Sequence, residues 1–467
     1  MDFDHIELKF KSTAARYEGG TANMPGFVAL GASLQLLESA GLSPTSSLLA
    51  DRILSLTDDL CQQLQAIGAS LPTRGRGEDR SGIVSFDLPG RDLRVDFLRG
   101  LALWFIFIDH TPGNLLGLAT LRNVAFCDAT EAFVLLAGFA AGIAYGRIME
   151  REGWLQAAGR VMGRVGTLYV AHIFLFVVFT AQVGFSAAAL DQAAYLDELA
   201  LDPFTQEPYR ALLEALLLRY QPAFLDILPL YIVVLALFAV TLPMIRRPIW
   251  MLAGASVLYV VTRSFELEPP AWNGQSWSFN PFAWQLLFVI GIWLGRADPV
   301  KLSQHFPWNR WIALLLVVLL IVAAALLNFF WHGATSGIEM PERLSGWMAS
   351  IDKTSLHPAR LASVLIMCWL ISHLLPPGAA FLFGRTAGSF ILMGQHSLPV
   401  FCAGIFLSFL GRVAIEMSDS LLMQVLVNVA GLAAMLGVGA VSAWYDDGGR
   451  RKAQALPTAG QKPKVDA

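Results

Sequence analysis

Apolar runs dominate the chain from about residue 90 onward, and most approach the ~20 residues that a helix needs to cross a bilayer. They are separated by short polar stretches, as in polytopic membrane proteins. The runs lie at roughly 95–112, 129–146, 165–185, 223–243, 248–263, 282–295, 311–331, 360–376, 389–411 and 421–444. The pattern predicts an all-α polytopic membrane protein with about ten transmembrane helices.

The first 88 residues have a different pattern. In "FVALGASLQLLESAGL" and "LADRILSLTDDLCQQLQAIGA", apolar residues recur at helical spacing between polar ones, as in soluble amphipathic helices. "TRGRGEDRSG" is typical of a loop, and "IVSFDL" predicts a strand. We therefore expect a small N-terminal α+β fragment over 1–88, a membrane domain over 89–446 and a basic tail over 447–467.

Composition agrees with a membrane location. Hydrophobic residues make up 55% and charged residues 15% of the chain, and the mean hydropathy is +0.55; soluble domains carry about 25% charged residues. A net charge of -3 gives no sign of a nucleic-acid partner. The four cysteines have neither metal-ligand nor disulfide-framework spacing, so we expect no metal site.

Loop charges predict the orientation of the chain in the membrane. If the N-terminus is cytoplasmic, the inner loops contain most of the arginines, whereas outer loops such as 186–222 are acidic. The positive-inside rule then places both termini in the cytoplasm. The inner-loop cations are Arg147, Arg151, Arg160, Arg164, Arg246, Arg247, Arg296, Lys301, Arg310 and Arg385.

The first span, "RVDFLRGLALWFIFIDH", carries ionisable residues at both ends. Arg99 and His110 are eleven residues apart, which places them on nearly the same helix face and about 16 Å apart along the axis. One interpretation is that Arg94 and Arg99 are snorkelling anchors and that His110 caps the helix at the interface. The other interpretation is that these residues form a functional site, since ionisable residues inside a membrane usually have a function.

Polar residues at the outer ends of several other spans favour the functional interpretation. Their shared position predicts one converging site. They are Asp109, Asp128, Glu131, Gln221, Asp226, Asn280, Trp284, Gln285, Asp352, Lys353, His357 and Arg360. His172, His373 and His396 are more typical of helix–helix hydrogen bonding or plain structure, and the small-residue face of Gly138, Gly142 and Gly146 is typical of close helix packing.

Several motifs together resemble one family. "RDLRVDFLRGLALWFIFIDH", "EAFVLLAGFAAGIAYGR", "QPAFLDILPLYIVVLAL", "NPFAWQLLFVIGIWLG", "DKTSLHPARLASVL" and "SLPVF" are similar to the OpgC family of inner-membrane succinyltransferases that modify osmoregulated periplasmic glucans. The wider acyltransferase-3 superfamily has an arginine followed by a histidine eleven residues later, and Arg99 and His110 match that spacing. "GQHSLPVF" departs from the expected pattern at Gln395 and His396.

The N-terminal 88 residues resemble the C-terminal part of class V PLP-dependent aminotransferases. "ARYEGGTANMPGFVALGASLQLL" carries the resemblance, with Gly20 and Thr21 matching a phosphate-holding pair. The large domain with its Schiff-base lysine is absent. We therefore interpret 1–88 as a fusion remnant or a misassigned gene start, and we expect neither PLP nor any other bound cofactor.

The resemblance implies transfer of an acyl group from cytosolic acyl-CoA, with succinyl-CoA expected, to a periplasmic glucan. A histidine suits the base that deprotonates a hydroxyl. The expected roles are His110 as base; Asp109, Asp128 or Glu131 orienting its ring; Arg94 and Arg99 on the CoA phosphates; Lys353 and Arg360 on the oxyanion or succinyl carboxylate; and Asp226, Asn280 and Gln285 as further substrate-binding residues.

Two other functions remain open at this point. A transporter would also place charges inside the membrane, although many transporters contain an internal repeat and none is visible here. An acetyltransferase acting on another surface glycan would use the same residues.

Overall fold

The computed structural model describes residues 24–39, 41, 47–66, 71, 84, 92–272, 274, 276–332 and 340–455. The chain divides into two compact units, Met1–Arg91 and Asp92–Ala467. In the first unit, α1 spans Met24–Ser39 and α2 spans Leu48–Ala66. The strand predicted at "IVSFDL" lies outside the described residues apart from Val84.

The second unit is built from helices, and its described residues contain no β-strand. In chain order the helices are α3 (Leu93–Asp109), α4 (Leu121–Val124), α5 (Ala129–Glu152), α6 (Trp154–Ala189), α7 (Ala194–Glu198), α8 (Asp202–Gln206), α9 (Pro208–Leu216), α10 (Ile227–Thr241), α11 (Pro248–Phe265), α12 (Pro281–Arg296), α13 (Pro299–His305), α14 (Arg310–His332), α15 (Glu342–Ala349), α16 (Pro358–Leu374), α17 (Arg385–Gln395), α18 (Ser397–Met417) and α19 (Leu421–Ala455). Short 3-10 helices cover Leu115–Ala119, Leu242–Arg246 and Ala380–Phe383.

The prediction of an all-α polytopic membrane protein is confirmed. Seven helices of the described chain are long and apolar enough to cross a membrane, namely α5, α6, α10 with the 3-10 helix that follows it, α11, α14, α18 and α19. Two shorter apolar helices, α12 and α16, coincide with the sixth and eighth predicted spans. The first predicted span is the charged helix α3.

The ninth predicted span is interrupted. Instead of one helix over 389–411, α17 ends at Gln395 and α18 begins at Ser397. Pro399 explains the break: a proline ring within a helix clashes with the carbonyl group four residues earlier, here that of Gln395. Arg99 donates a hydrogen bond to Ser397, the first residue of α18.

The connection between α5 and α6 is a single residue. Gly153 has a φ of 85°, a left-handed conformation that side chains disfavour. The two helices therefore extend through the stretch that the hydropathy pattern assigns to a cytoplasmic loop. As a result, Arg164 lies inside α6, ten residues after Trp154.

Glycines bring two pairs of helices into close contact. A Cβ atom on Gly138 of α5 would lie 2.0 Å from the backbone oxygen of Phe288 in α12, so the predicted small-residue face does serve helix packing. Gly100 of α3 meets the backbone of Phe390 in α17 in the same way, at 1.9 Å. Helix α3 also packs against α5, α18 and α19, which makes it a central element of the unit.

Candidate functional site

Four charged side chains from three segments form one ion cluster. The Lys353 Nζ atom lies 2.5 Å from Asp128 Oδ2, and the guanidinium of Arg360 lies 2.6 Å from Glu131 Oε1 and 3.3 Å from Asp128 Oδ2. Glu131 has no exposed surface. A buried carboxylate is stable only when it is paired and hydrogen-bonded, and Arg360 provides that pairing. The structure therefore brings together four of the polar residues that were expected to converge, and their role as a functional site stays a prediction.

The start of α5 presents the two carboxylates. Asp128 is the N-cap, and its side chain accepts a hydrogen bond from the Thr130 backbone N–H at 2.8 Å. The Glu131 carboxylate in turn accepts one from the Asp128 backbone N–H at 2.9 Å. This capping box satisfies backbone donors at the helix start and fixes the spacing of both carboxylates.

Electrostatics keep the Asp128–Lys353 pair charged. Burial alone would raise the pKa of Asp128, but Lys353 and Arg360 outweigh it and hold the pKa of that carboxyl well below its usual range. Burial would likewise lower the pKa of Lys353, yet Asp128 and Glu131 leave it raised. The Lys353 ammonium also lies 5.0 Å from the ring centroid of Phe279, a cation–π distance.

The loop that carries Lys353 is held by side chains of α11 and α12. The indole of Trp284 donates to the backbone oxygens of Lys353 and Thr354 at 3.0 and 3.1 Å. From α11, the Tyr259 hydroxyl donates to Leu356 O at 2.8 Å, and Arg263 donates to Ser355 O at 2.9 Å. These hydrogen bonds fix the backbone from Lys353 to Leu356, the segment that follows the ammonium-bearing residue.

His110 lies at the same end of the bundle, as the C-cap of α3. Its Nδ1 atom is 2.7 Å from the carbonyl oxygen of Ile106, which can only accept, so Nδ1 carries the proton and donates it. The neutral ring therefore has its lone pair on Nε2, and among the described residues no group is hydrogen-bonded to that atom. Lys353 and Asp128 are close enough to interact electrostatically with the ring. The arrangement provides a proton acceptor within electrostatic range of a cation.

The His110 ring makes its hydrogen bond with the carbonyl oxygen of Ile106, and orientation of that ring by a carboxylate stays a prediction. Asp109 accepts a hydrogen bond from the Thr120 hydroxyl at 2.6 Å, which ties α3 to the segment before α5. Asp128 and Glu131 belong to the ion cluster. Asp226, at the start of α10, interacts electrostatically with Lys353. The structure thus brings these carboxylates to one end of the bundle, while Ile106 sets the tautomer of His110.

A cavity lies further along α3 from His110, between α3, α5, α6, α10 and α18. Arg99 and Arg164 line it together with Tyr231, Ser397 and several apolar side chains. Arg99 donates to the Ser397 hydroxyl at 2.6 Å, but its Nε atom is buried without a hydrogen-bond partner. No described carboxylate lies within ion-pair distance of Arg164. Two guanidinium groups without a carboxylate partner in the described part of the chain favour an anionic ligand.

Other predicted binding residues are engaged within the protein. Arg94 pairs with Asp92 at 2.6 Å and donates to the Leu375 carbonyl oxygen at 2.7 Å. Asn280 caps α12 and donates to Leu267 O at 2.6 Å. Gln285 donates to Ala255 O in α11 at 2.8 Å. These contacts favour scaffold roles for Arg94, Asn280 and Gln285, and their roles as substrate ligands stay predictions.

The three histidines expected to be structural differ from one another. Among them, His373 lies 2.9 Å from the carbonyl oxygen of Trp369 in its own helix and 3.0 Å from that of Phe306, which links α16 to the segment after α13. His396 lies 3.4 Å from Asp446 in α19. His172 departs from the expectation, because it is fully buried and neither ring nitrogen has a partner among the described residues.

Comparison with known proteins decides the family. A family model described as OpgC protein matches residues 91–447. The chain belongs to the OpgC family. Neither the search of curated proteins nor the search of solved structures gives a match, and no comparison supports the resemblance of residues 1–88 to PLP-dependent enzymes. As an OpgC-family protein the chain is a glucan-modifying acyltransferase and a multi-pass membrane protein, which sets the transporter hypothesis aside.

Two residues of the OpgC-family cavity were missed as ligand candidates. From the sequence, Arg164 was interpreted only as a cation of a cytoplasmic loop, and Tyr231 lies within an apolar run. The signal for Arg164 is its spacing: Arg164, Leu168 and His172 follow each other at intervals of four, which places them on one stripe of α6. For Tyr231 the sequence offers no comparable signal.

Proposed function

We propose that the protein transfers a succinyl group from succinyl-CoA to a hydroxyl of a periplasmic glucan, with His110 as general base. The observation that carries the proposal is the hydrogen bond from Nδ1 of His110 to Ile106 O. It fixes the tautomer whose Nε2 accepts a proton, on a ring that interacts electrostatically with Lys353. A base of this kind contributes about 10²–10⁴-fold to a rate.

The reaction follows from these groups. Nε2 of His110 takes the proton of a glucose hydroxyl while the oxygen of that hydroxyl forms a bond to the thioester carbon. Lys353 stabilises the negative charge on the thioester oxygen. The C–S bond then breaks, and the leaving thiolate takes the proton from His110. Lys353 suits this role better than Arg360 does, because its side chain is 37% exposed, against 13% for Arg360.

Arg360 then acts as a positioning residue. It holds Glu131 and Asp128, and Asp128 in turn holds Lys353. Asp109 and Asp226 complete the acidic surroundings of this cation and favour its charged form.

The cavity supports a donor that approaches from the other end of α3. Arg99 and Arg164 carry guanidinium groups that suit phosphate oxygens. Arg99 lies about 16 Å from His110 along the helix axis, a distance that the extended pantetheine arm of CoA can cover. If the CoA phosphates bind near Arg99, the thioester at the other end of the pantetheine arm can therefore lie near His110. The positive-inside pattern supports cytoplasmic termini and a cytoplasmic CoA side. The bacterial inner membrane is part of the proposal and rests on the family membership.

The domain assignment belongs to the same proposal. Residues 89–446 form the acyltransferase domain, in agreement with the family match at 91–447. Residues 1–88 contribute nothing to catalysis, and 447–467 form a basic cytoplasmic tail.

The proposal is tested with purified protein in proteoliposomes. Succinyl-CoA or acetyl-CoA is supplied on one side and linear β-glucan on the other, and the glucan is analysed by mass spectrometry. We expect succinyl esters and a dependence on His110. Transfer of acetyl but not succinyl groups would show that the donor is acetyl-CoA and not succinyl-CoA. Transfer of neither group would overturn the proposed function. Mass spectrometry of periplasmic glucans from wild-type and deletion cells provides the matching measurement in the cell.

A further inference from the structure

His172 is a fully buried imidazole without a hydrogen bond. Its side chain has 0% exposure, and both ring nitrogens lack a partner among the described residues. Buried polar atoms in folded proteins nearly always have a partner, from the protein, an ordered water or a ligand. His373 shows the usual case in this chain, because Nε2 lies 3.0 Å from the carbonyl oxygen of Phe306 and Nδ1 lies 3.2 Å from the hydroxyl of Ser372, so each ring nitrogen has a partner. The unpartnered ring of His172 can therefore bind a group from outside the protein, either an ordered water or a ligand.

The position of His172 relates it to the cavity. Arg164 and Leu168 both line the cavity, and His172 continues the same stripe of α6 one turn further on. It lies about 12 Å beyond Arg164 along the helix axis. Helices α3 and α6 run in the same direction, since α5 between them returns from the His110 end. His172 therefore lies at a depth between Arg99 and His110.

We propose that His172 hydrogen-bonds an amide group of the pantetheine arm of the acyl donor, an inference that rests on the proposed function. The arm combines methylene groups with amides. Methylene groups match the apolar lining provided by Phe133, Val134 and Leu168. A neutral imidazole has one donor and one acceptor, which complements the N–H and C=O groups of an amide. His172 then acts as a positioning residue that fixes how far the thioester extends toward His110.

The test compares two unpartnered buried groups of the same helix. Thr180, whose hydroxyl is also buried without a partner, lies two turns beyond His172 and about 24 Å from Arg164, which is past the depth of His110. Thr180→Val is therefore the matched control for His172→Phe, with His172→Leu as a second apolar variant if phenylalanine is not accommodated. The apparent KM for succinyl-CoA, kcat and the thermal midpoint are measured for each purified protein.

We expect the folded apolar variant of His172 to raise the donor KM about tenfold, the effect of losing one hydrogen bond. We expect it to leave the thermal midpoint of the ligand-free protein unchanged or higher, because no internal hydrogen bond is lost. Thr180→Val should leave KM unchanged. A histidine with a merely structural role would lower the midpoint and leave KM alone.

An unchanged KM in the folded His172 variant overturns the inference and assigns the ring to an internal water. An equal rise in KM for Thr180→Val overturns it as well. Arg99→Ala separates these outcomes from failure of the proposed function. If wild-type protein shows saturable use of succinyl-CoA that Arg99→Ala weakens, the proposed function stands and only the role of His172 is wrong.

Discussion

Removing Arg360 should lower the free energy of unfolding, because Arg360 pairs with the buried carboxylate of Glu131 and with Asp128. In Arg360→Met, Asp128 keeps Lys353 at 2.5 Å, but Glu131 loses its guanidinium partner and remains fully buried. An unpaired buried charge costs about 3–5 kcal/mol. We expect the free energy of unfolding to fall by that amount when the assay is run at alkaline pH, where Glu131 stays ionised without its partner, and by less at lower pH, where the carboxylate takes up a proton.

A second substitution should recover most of this loss. Glu131→Gln removes the negative charge but keeps an oxygen that accepts from the Asp128 backbone N–H, as glutamine does in a capping box. The double variant, which combines Glu131→Gln with Arg360→Met, therefore contains no unpaired charge at position 131. We expect its free energy of unfolding to be only about 1 kcal/mol lower than that of the wild type. A coupling of this sign is what a double-mutant cycle measures.

The assay is equilibrium unfolding in mixed micelles, followed by tryptophan fluorescence. Arg160→Met is the control, because Arg160 pairs with Glu152 at 3.0 Å with side chains 58% and 40% exposed, and such pairs contribute about 0–1 kcal/mol. A loss below about 1 kcal/mol in Arg360→Met, or a double variant no more stable than the single one, would refute the assignment of Arg360 as the partner of a buried carboxylate.

Three further predictions concern the donor site, helix packing and the N-terminal unit. Arg99→Ala should weaken donor use and Arg99→Lys should restore it only in part, since an ammonium lacks the guanidinium fork; an unchanged KM for succinyl-CoA in both would return Arg99 to an anchoring role. Gly138→Ala should lower stability by about 1–3 kcal/mol through overpacking, because its Cβ would meet Phe288 O at 2.0 Å; Gly163→Ala, where nothing lies within 4 Å, is the control in the same unfolding assay. A shortened chain that starts at Gly90 after a new methionine should insert and acylate glucans; normal membrane abundance with no transfer would show that residues 1–88 are needed.

The hydropathy pattern predicts most of the fold because each helix must satisfy its own backbone within the membrane. Nine of the ten predicted spans coincide with a single helix, since apolar length is the quantity that the pattern reports. The break at His396 depends instead on the clash between Pro399 and the preceding turn, which a hydropathy pattern does not measure. Its signal was present in the sequence as the proline itself.

The site was predictable only in part. Asp128, Glu131, Lys353 and Arg360 could be grouped because charged residues at one end of several spans tend to converge. Their pairing was not predictable, because it depends on the approach of α16 to α5. The hydrogen bond that sets the tautomer of His110 comes from a backbone carbonyl, a partner that no side-chain pattern reveals.

The most direct test of the central claim is the rate of glucan succinylation by a His110 variant. His110→Asn keeps a side-chain donor for the Ile106 carbonyl but lacks the basic Nε2 atom, and His110→Ala removes both. With succinyl-CoA and glucan in proteoliposomes, we expect kcat to fall at least about 100-fold in both variants. We also expect membrane insertion and the KM for succinyl-CoA to remain near the wild-type values. Succinylation at the wild-type rate in either variant would contradict the assignment of His110 as the base.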